Sequence, residues 1–383
     1  MNRYYVRSLT EGKGHPRVYL DISGIEAQGF APGANYKRVV NVDKARITLT
    51  VDPDGPYMVS SKERSGRKIP VIDINSAAAL KPFEGMKALR VVVEDNCITI
   101  LPMASEANRK ARLDRLANNM AEGEITTAAL SFGGGLLDHS AHEGLTQAGV
   151  NARLAMANEI DEGFMEQAMH HNDVLRPDTI TIAAPMQELV QDHAAMSRLP
   201  KVDMLVAGLP CSGASQAGAS KRKLEHMERH PEVGHLAASF LMVINRIQPA
   251  TIVLENVVNY SASGSADIIR NHLRDSGYTV HETVLNAADF GCLEARERWF
   301  LVAVTRGIEL DLSNLAPIMK PVRRIADVLE PIGPEADDWR TFDYLKTKEV
   351  RDAAKGNSFA MQVITPESHS CPVLRRGYAK VIG

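Results

Sequence analysis

The sequence predicts an α/β fold with a Rossmann-like, mostly parallel sheet, preceded by a small all-β module. Three observations carry this reading. From Ile125 to Ala250, short apolar runs alternate with segments of helical spacing, the pattern of a parallel sheet covered on both faces. The first of those runs ends in a glycine loop, Gly133, Gly134 and Gly135. Ahead of them, runs rich in Val, Ile and Thr sit between Gly, Pro, Asp and Asn without a helical period.

With 383 residues the chain has room for two domains and a sizeable core. Its 44% hydrophobic and 24% charged residues are ordinary for a globular protein. The net charge of −3 leaves any nucleic-acid partner to a local basic surface. No run approaches a membrane span, and MNRYYVRSLTEGKG holds no apolar signal region, so a cytoplasmic protein with no membrane partner is expected. Cys97, Cys211, Cys292 and Cys371 lack CxxC spacing, which points to neither a metal site nor a disulfide framework.

The elements follow in order. VYLDISG, RITLTV, YMVSS, IPVIDI, ALRVVVE and CITILP read as strands of a β module over residues 1–103. Within it, ISGIEAQGFAPGANYKRV resembles the small swapped-hairpin barrels of AbrB-type or SymE-like regulators, which implies a module that dimerises or touches DNA. SEANRKARLDRLANNM has helical spacing with Ser105 as its N-cap, and residues 104–123 form a helical linker. ITTAALSF is the first strand of the second domain, and MANEID ends its second strand in Glu159, an acid able to accept ribose hydroxyls. Apolar runs at Met204 and Ile252 give two more strands, with GHLAASFLMVINRIQP as the crossover helix between them.

The chemistry centres on MLVAGLPCSGASQAG, Met204 to Gly218. Gly208 and Pro210 break the strand, and Cys211 follows on a loop of small residues, where open α/β sheets place their ligands. A cysteine is most often a buried structural thiol. Two later segments give Cys211 a chemical reading: IVLENV, which ends a strand in Glu255 and Asn256, and LNAADFGCLEARERWFLVAV, which sets Arg296 and Arg298 before another strand.

PC followed by S.AG, then ENV, then NAADFG ahead of RER and an apolar strand, in that order, resembles the DNA cytosine-C5 methyltransferases. The likeness runs from about Leu130 to Val304 and fades towards Gly383. It implies an S-adenosylmethionine-dependent methyltransferase fold over residues 124–305, in a prokaryotic or phage enzyme of the restriction-modification type. Phe132, Gly133, Gly134, Gly135, Glu159 and Pro210 would then hold S-adenosylmethionine. The family's DxFxGxG loop has Ala129 in place of the aspartate and Ser131 in place of the phenylalanine, and the aspartate that meets the adenine amino group is not evident in TIAAPMQELV.

The resemblance also assigns roles at the reacting base. C5 of cytosine is a poor nucleophile, and a thiolate adding at C6 turns C5 into an enamine-like carbon. Cys211 would be that thiolate, and Glu255 would supply the proton or hydrogen bond that N3 then needs. Asn256 would fix the loop, while Arg296 and Arg298 neutralise developing charge. A stacked base is out of reach of this chemistry, so the target cytosine must be flipped out of double-stranded DNA. The segment from Ser212 to about Gly234 is expected to be mobile and to close over it.

Ser212, Ser215, Lys221, Arg222, Lys223, Arg375 and Arg376 are the expected DNA contacts, with residues 306–383 as a partial target-recognition region inside which the chain ends. A homodimer formed through the β module, or a partner chain supplying the remainder, is open. Two other readings stay open as well: a tRNA cytosine-C5 methyltransferase, and a non-catalytic DNA-binding protein with an incomplete methyltransferase domain.

Overall fold

A computed structural model describes residues 3–12, 15–214, 225–315, 323–333, 335, 341–356 and 359–373. The chain divides into two compact units, Met1–Asn118 with Arg274–Tyr278, and Asn119–Leu273 with Thr279–Gly383.

The first unit is built from ten strands: β1 (Arg3–Ser8), β2 (Thr10–Gly12), β3 (His15–Leu20), β4 (Asn35–Asn41), β5 (Arg46–Val51), β6 (Tyr57–Met58), β7 (Ser60–Arg64), β8 (Arg67–Ile74), β9 (Ala88–Glu94) and β10 (Cys97–Pro102). They form a six-stranded sheet in the order β1-β9-β10-β5-β4-β6 and a four-stranded sheet β2-β3-β8-β7. Alternation places Leu89, Val91 and Val93 of β9, and Ile98 and Ile100 of β10, on one buried face. Leu20, Ile72 and Ile74 of the second sheet join the same core. Each such side chain contributes roughly 1.5–3 kcal/mol by leaving water. A helix over Ala104–Glu122 follows, so Ser105 lies in its first turn rather than before it.

The second unit holds a seven-stranded sheet: β11 (Glu124–Leu130), β12 (Asn151–Glu159), β13 (Ile180–Ala183), β14 (Met204–Gly208), β15 (Thr251–Asn256), β16 (Tyr278–Asn286) and β17 (Glu297–Thr305). Their spatial order is β13-β12-β11-β14-β15-β17-β16. The pairs from β13 to β15 are parallel, and β17 runs antiparallel to β15. Both faces of the central strands are covered, so Leu205, Val206 and Ala207 of β14 are all buried, as a continuous apolar run requires. The crossover helix Leu236–Ile247 buries Phe240, Val243, Ile244 and Ile247 against the sheet.

Two features of this topology position the site. Strand order reverses between the parallel neighbours β11 and β14, so the connections that follow them lead away in opposite directions and open a crevice at their carboxyl ends. Because β17 is antiparallel, its amino end, carrying Arg298, reaches that same edge beside the carboxyl end of β15. Beyond β17, the turn at Thr365–Ser368 accepts Ile325 N–H at Ser368 O and Ala326 N–H at Pro366 O. Cys371 pairs with Leu293 and Ala295, directly ahead of Arg296. The helix Asp343–Ala354 buries none of its side chains. Among the described residues no helix is long and apolar enough to cross a membrane.

Candidate active site

The glycine loop after β11 is held by an acid. Glu159, at the end of β12, accepts Gly133 N–H at Oε2 (2.7 Å) and the N–H groups of Ile160 and Asp161 at Oε1 (2.9 and 3.0 Å). A carboxylate offers about four acceptor positions, so one remains for a ligand hydroxyl. Gly135 begins the next helix at φ 75°, and a Cβ there would lie 2.3 Å from both Phe132 Cζ and Asn172 Nδ2; no other residue fits. Phe132 is correspondingly buried with Ala129, Leu154, Ala157 and Met165, and its ring fills the core.

A cavity of about 290 Å³ opens beside this loop, walled by Ser131, Glu159, Ile160, Met186, Gln187 and Pro210 among others. Its lining mixes apolar side chains with a few polar ones, as nucleoside sites do. Ile160, a large apolar residue that is 66% exposed, presents its side chain to this cavity. The end of β13 contributes Ala184, Met186 and Gln187 and no acid. A second, larger cavity of about 460 Å³ is lined by Gly134, His139, Gln167, His171 and Asn172. Of the expected cofactor residues, Glu159 and Pro210 line the first cavity, Gly134 the second, and Phe132 neither.

Pro210 joins the cavity to the cysteine. Cys211 is half-buried, Ser212 is exposed, and Ala214 N–H closes a turn on Cys211 O at 2.9 Å. Gly213 sits so close to Met227 that a Cβ would meet its carbonyl at 2.8 Å. Asn256 fixes the entry to this turn by donating Nδ2–H to Leu209 O at 3.0 Å while its Oδ1 accepts Val257 N–H. Both bonds go to backbone groups, so the amide ties the end of β15 to the loop after β14.

Glu255 and Arg298 meet across the β15–β17 pair, with Arg298 Nε 2.8 Å from Glu255 Oε1. The pair is largely covered, with side-chain exposures of 18% for the arginine and 23% for the glutamate. The second oxygen, Oε2, lies 3.7 Å from the position of a Cβ on Gly208 and has no partner among the described residues. Arg296 stands apart, more exposed, 3.9 Å from Glu294 and without contact to Glu255. Arg296 precedes β17, which begins at Glu297, whereas Arg298 lies within that strand. Glu255 is opposite Phe300 and Asn256 opposite Trp299, so Arg298 shares the face of Glu255 while Trp299 points the other way.

Trp299 pins that register. It is 2% exposed, stacks on Tyr260 at 5.9 Å between ring centroids, and donates Nε1–H to Glu282 Oε2 at 2.9 Å. Arg270 grips the same carboxylate through Nε and Nη2, each at 2.8 Å. Burial, reinforced by nearby Glu228, pushes the Tyr260 phenol up to about 12, so it stays neutral. A slip of one residue would carry Arg298 to the wrong face and leave the indole N–H without its acceptor. The sequence reading missed Trp299, Glu282 and Arg270; the signal available was a tryptophan directly after the RER tripeptide.

Ser215, Lys221, Arg222, Lys223, Arg375 and Arg376 lie outside the described residues. Of the expected DNA contacts only Ser212 is described, on the exposed side of the cysteine turn.

Comparisons with known proteins agree with this architecture. The type II methyltransferase M1.BsuMI of Bacillus subtilis is 27% identical over 228 residues, covering 55% of this chain and 51% of that protein. The type II methyltransferase M.MspI of Moraxella sp. is 34% identical over 136 residues, covering 34% of this chain and 31% of that protein. The chain thus spans about half the length of the first relative and less of the second. Among solved structures, the Entamoeba histolytica methyltransferase EhMeth shares the fold, with a TM-score of 0.50 at 15% identity over 67% of this chain and 73% of that one. The C-5 cytosine-specific DNA methylase family matches residues 141–365, more than half of the sequence, and the chain belongs to that family.

Proposed function

We propose that this chain methylates C5 of a cytosine in double-stranded DNA, with S-adenosylmethionine as cofactor and Cys211 as nucleophile. The observation that carries the reading is the convergence of the Cys211 turn, the Glu255 carboxylate and the Arg298 guanidinium at one sheet edge, joined through Pro210 to a nucleoside-sized cavity.

The residues divide the work as follows. Cys211 forms a bond from Sγ to C6 of the flipped base, and the C5–C6 π electrons move to C5. Glu255, oriented by Arg298, presents Oε2 to the base edge and carries the proton or hydrogen bond that N3 needs as the ring gains electron density. Bound S-adenosylmethionine supplies an electrophilic methyl carbon to the activated C5. Loss of the C5 hydrogen as a proton then restores the C5–C6 double bond and expels the Cys211 thiolate. Glu159 offers its remaining acceptor position to a ribose hydroxyl, Ile160 a flat apolar face to the adenine, and Gly133 to Gly135 a close backbone approach. Arg296 is assigned to charge neutralisation from a more open position. Residues 124–305 are the catalytic part, 104–123 its linker and 306–383 the target-recognition part, whose Arg375 and Arg376 contact DNA together with Ser212, Ser215 and Lys221 to Lys223.

The test is transfer of labelled methyl from S-adenosylmethionine to duplex DNA, followed by nucleoside analysis. Label in 5-methylcytosine supports the reading. Label in N4-methylcytosine or N6-methyladenine, or transfer to tRNA and not to DNA, contradicts it.

A further inference from the structure

The β7–β8 hairpin of the N-terminal unit carries arginines with no ion-pair partner among the described residues. Its register sets Arg64 directly opposite Arg67 across a two-residue turn, with Glu63 opposite Lys68 in the next pair. Ser65 and Gly66 close the turn at φ 49° and 74°, the left-handed geometry of a tight hairpin. All six residues from Glu63 to Lys68 are exposed, and around Gly66 there is open space. Lys62, nearer the sheet, is paired with Asp21. Arg64, Arg67 and Lys68 have no ion pair or hydrogen-bond partner among the described residues.

Like charges facing each other across a strand pair oppose folding by a fraction of a kcal/mol, and a second anion at the tip would relieve it. We infer that this hairpin is a DNA-backbone contact, in which Arg64 and Arg67 each engage a phosphate. A two-stranded ribbon has the cross-section that a major groove admits, and guanidinium groups match phosphate oxygens two at a time. A lipid surface fits less well, because the tip residues Ser65 and Gly66 offer no apolar wedge. The inference rests on DNA being the substrate, and it adds a contact that carries affinity rather than sequence choice.

Binding of the full chain to a fluorescent mixed-sequence duplex, followed through a salt titration, tests it. Each phosphate contact adds about 0.9 to the slope of log K against log salt, so Arg64→Ala with Arg67→Ala lowers the slope by about 1.8. Arg64→Lys with Arg67→Lys keeps it. Without DNA, the alanine pair melts at or above the wild-type temperature, since the opposed charges are gone. An unchanged slope in the alanine pair, an equal loss in the lysine pair, or a slope change seen with structured RNA but not with duplex DNA would overturn the inference. Cys211→Ala keeps the wild-type slope while losing covalent capture of a fluorocytosine duplex. A wild-type chain with the hairpin-dependent slope but no capture sinks the methyl-transfer reading and leaves the hairpin standing.

Discussion

Glu159 and Glu255 both end a parallel strand at the same edge of one sheet, yet their carboxylates are engaged differently. Glu159 takes three backbone N–H groups and so locks the glycine loop and the turn after β12. Glu255 takes one guanidinium on Oε1 and leaves Oε2 beside Gly208, at the end of the strand that leads to Cys211. The first carboxylate is nearly saturated by the fold; the second is oriented by one partner and keeps an oxygen for a ligand. Saturation builds a site and leaves little for chemistry, while single-point anchoring leaves an oxygen to serve.

Exchanging the two acids for amides breaks the comparison most sharply. Glu255→Gln should lower single-turnover methyl transfer by roughly 10²–10⁴ while leaving cofactor affinity and melting temperature near wild type. Glu159→Gln should do the reverse, weakening cofactor binding in a calorimetric titration and lowering stability by about 1–3 kcal/mol through unpaired backbone N–H groups. Equal rate losses in both would mean that the two carboxylates are not divided in this way.

The two arginines come next. Arg298→Ala removes the partner that orients Glu255 among the described residues and should cost on the order of 10² in rate. Arg296→Ala, at an exposed position away from Glu255, should cost less than about tenfold. Trp299→Phe keeps the ring and loses the N–H bonded to Glu282, which predicts a loss of about 1.5–3 kcal/mol in chemical denaturation and a smaller fall in rate.

Asp138 extends the comparison to a carboxyl without an outside partner. It is 3% exposed and its Oδ1 has no hydrogen bond, so burial raises its pKa well above the carboxylate range, only partly offset by a bond to its own backbone. The folded state therefore keeps a proton that the unfolded chain releases, and stability falls as pH rises from the unfolded value through the raised one. Asp138→Asn holds no such proton. Its melting temperature, read by scanning calorimetry, should gain on wild type as pH rises above the ordinary carboxylate range.

The sheet was readable because its strands announce themselves: Leu205 to Ala207 and Ile252 to Leu254 are apolar runs cut off by Gly208 and Glu255. The motif residues Cys211, Glu255 and Asn256 follow strand ends and were legible for the same reason. The different surroundings of Arg296 and Arg298 were not, because they depend on where β17 begins and on its pairing with β15 across 40 or more residues of chain, which local spacing does not encode. Glu159 was legible as an acid at a strand end, but its three N–H partners come from loop geometry and not from composition. Ile160 carries no signal in the sequence, since exposure of a large apolar side chain is visible only once the cavity exists. Phe132 was expected at the cofactor because it lies within the loop; the close approach at Gly135 places its ring in the core instead.

The central claim is that Cys211 bonds to cytosine, and covalent capture reads that bond directly. Fluorine at C5 cannot leave as a proton does, so an enzyme that has added its thiolate and methylated the base stays attached. Duplex DNA carrying 5-fluorocytosine, incubated with the chain and S-adenosylmethionine, should yield a denaturant-resistant adduct that Cys211→Ala abolishes. An adduct that survives in Cys211→Ala, or none in the wild type under conditions where it transfers methyl to DNA, would contradict the account.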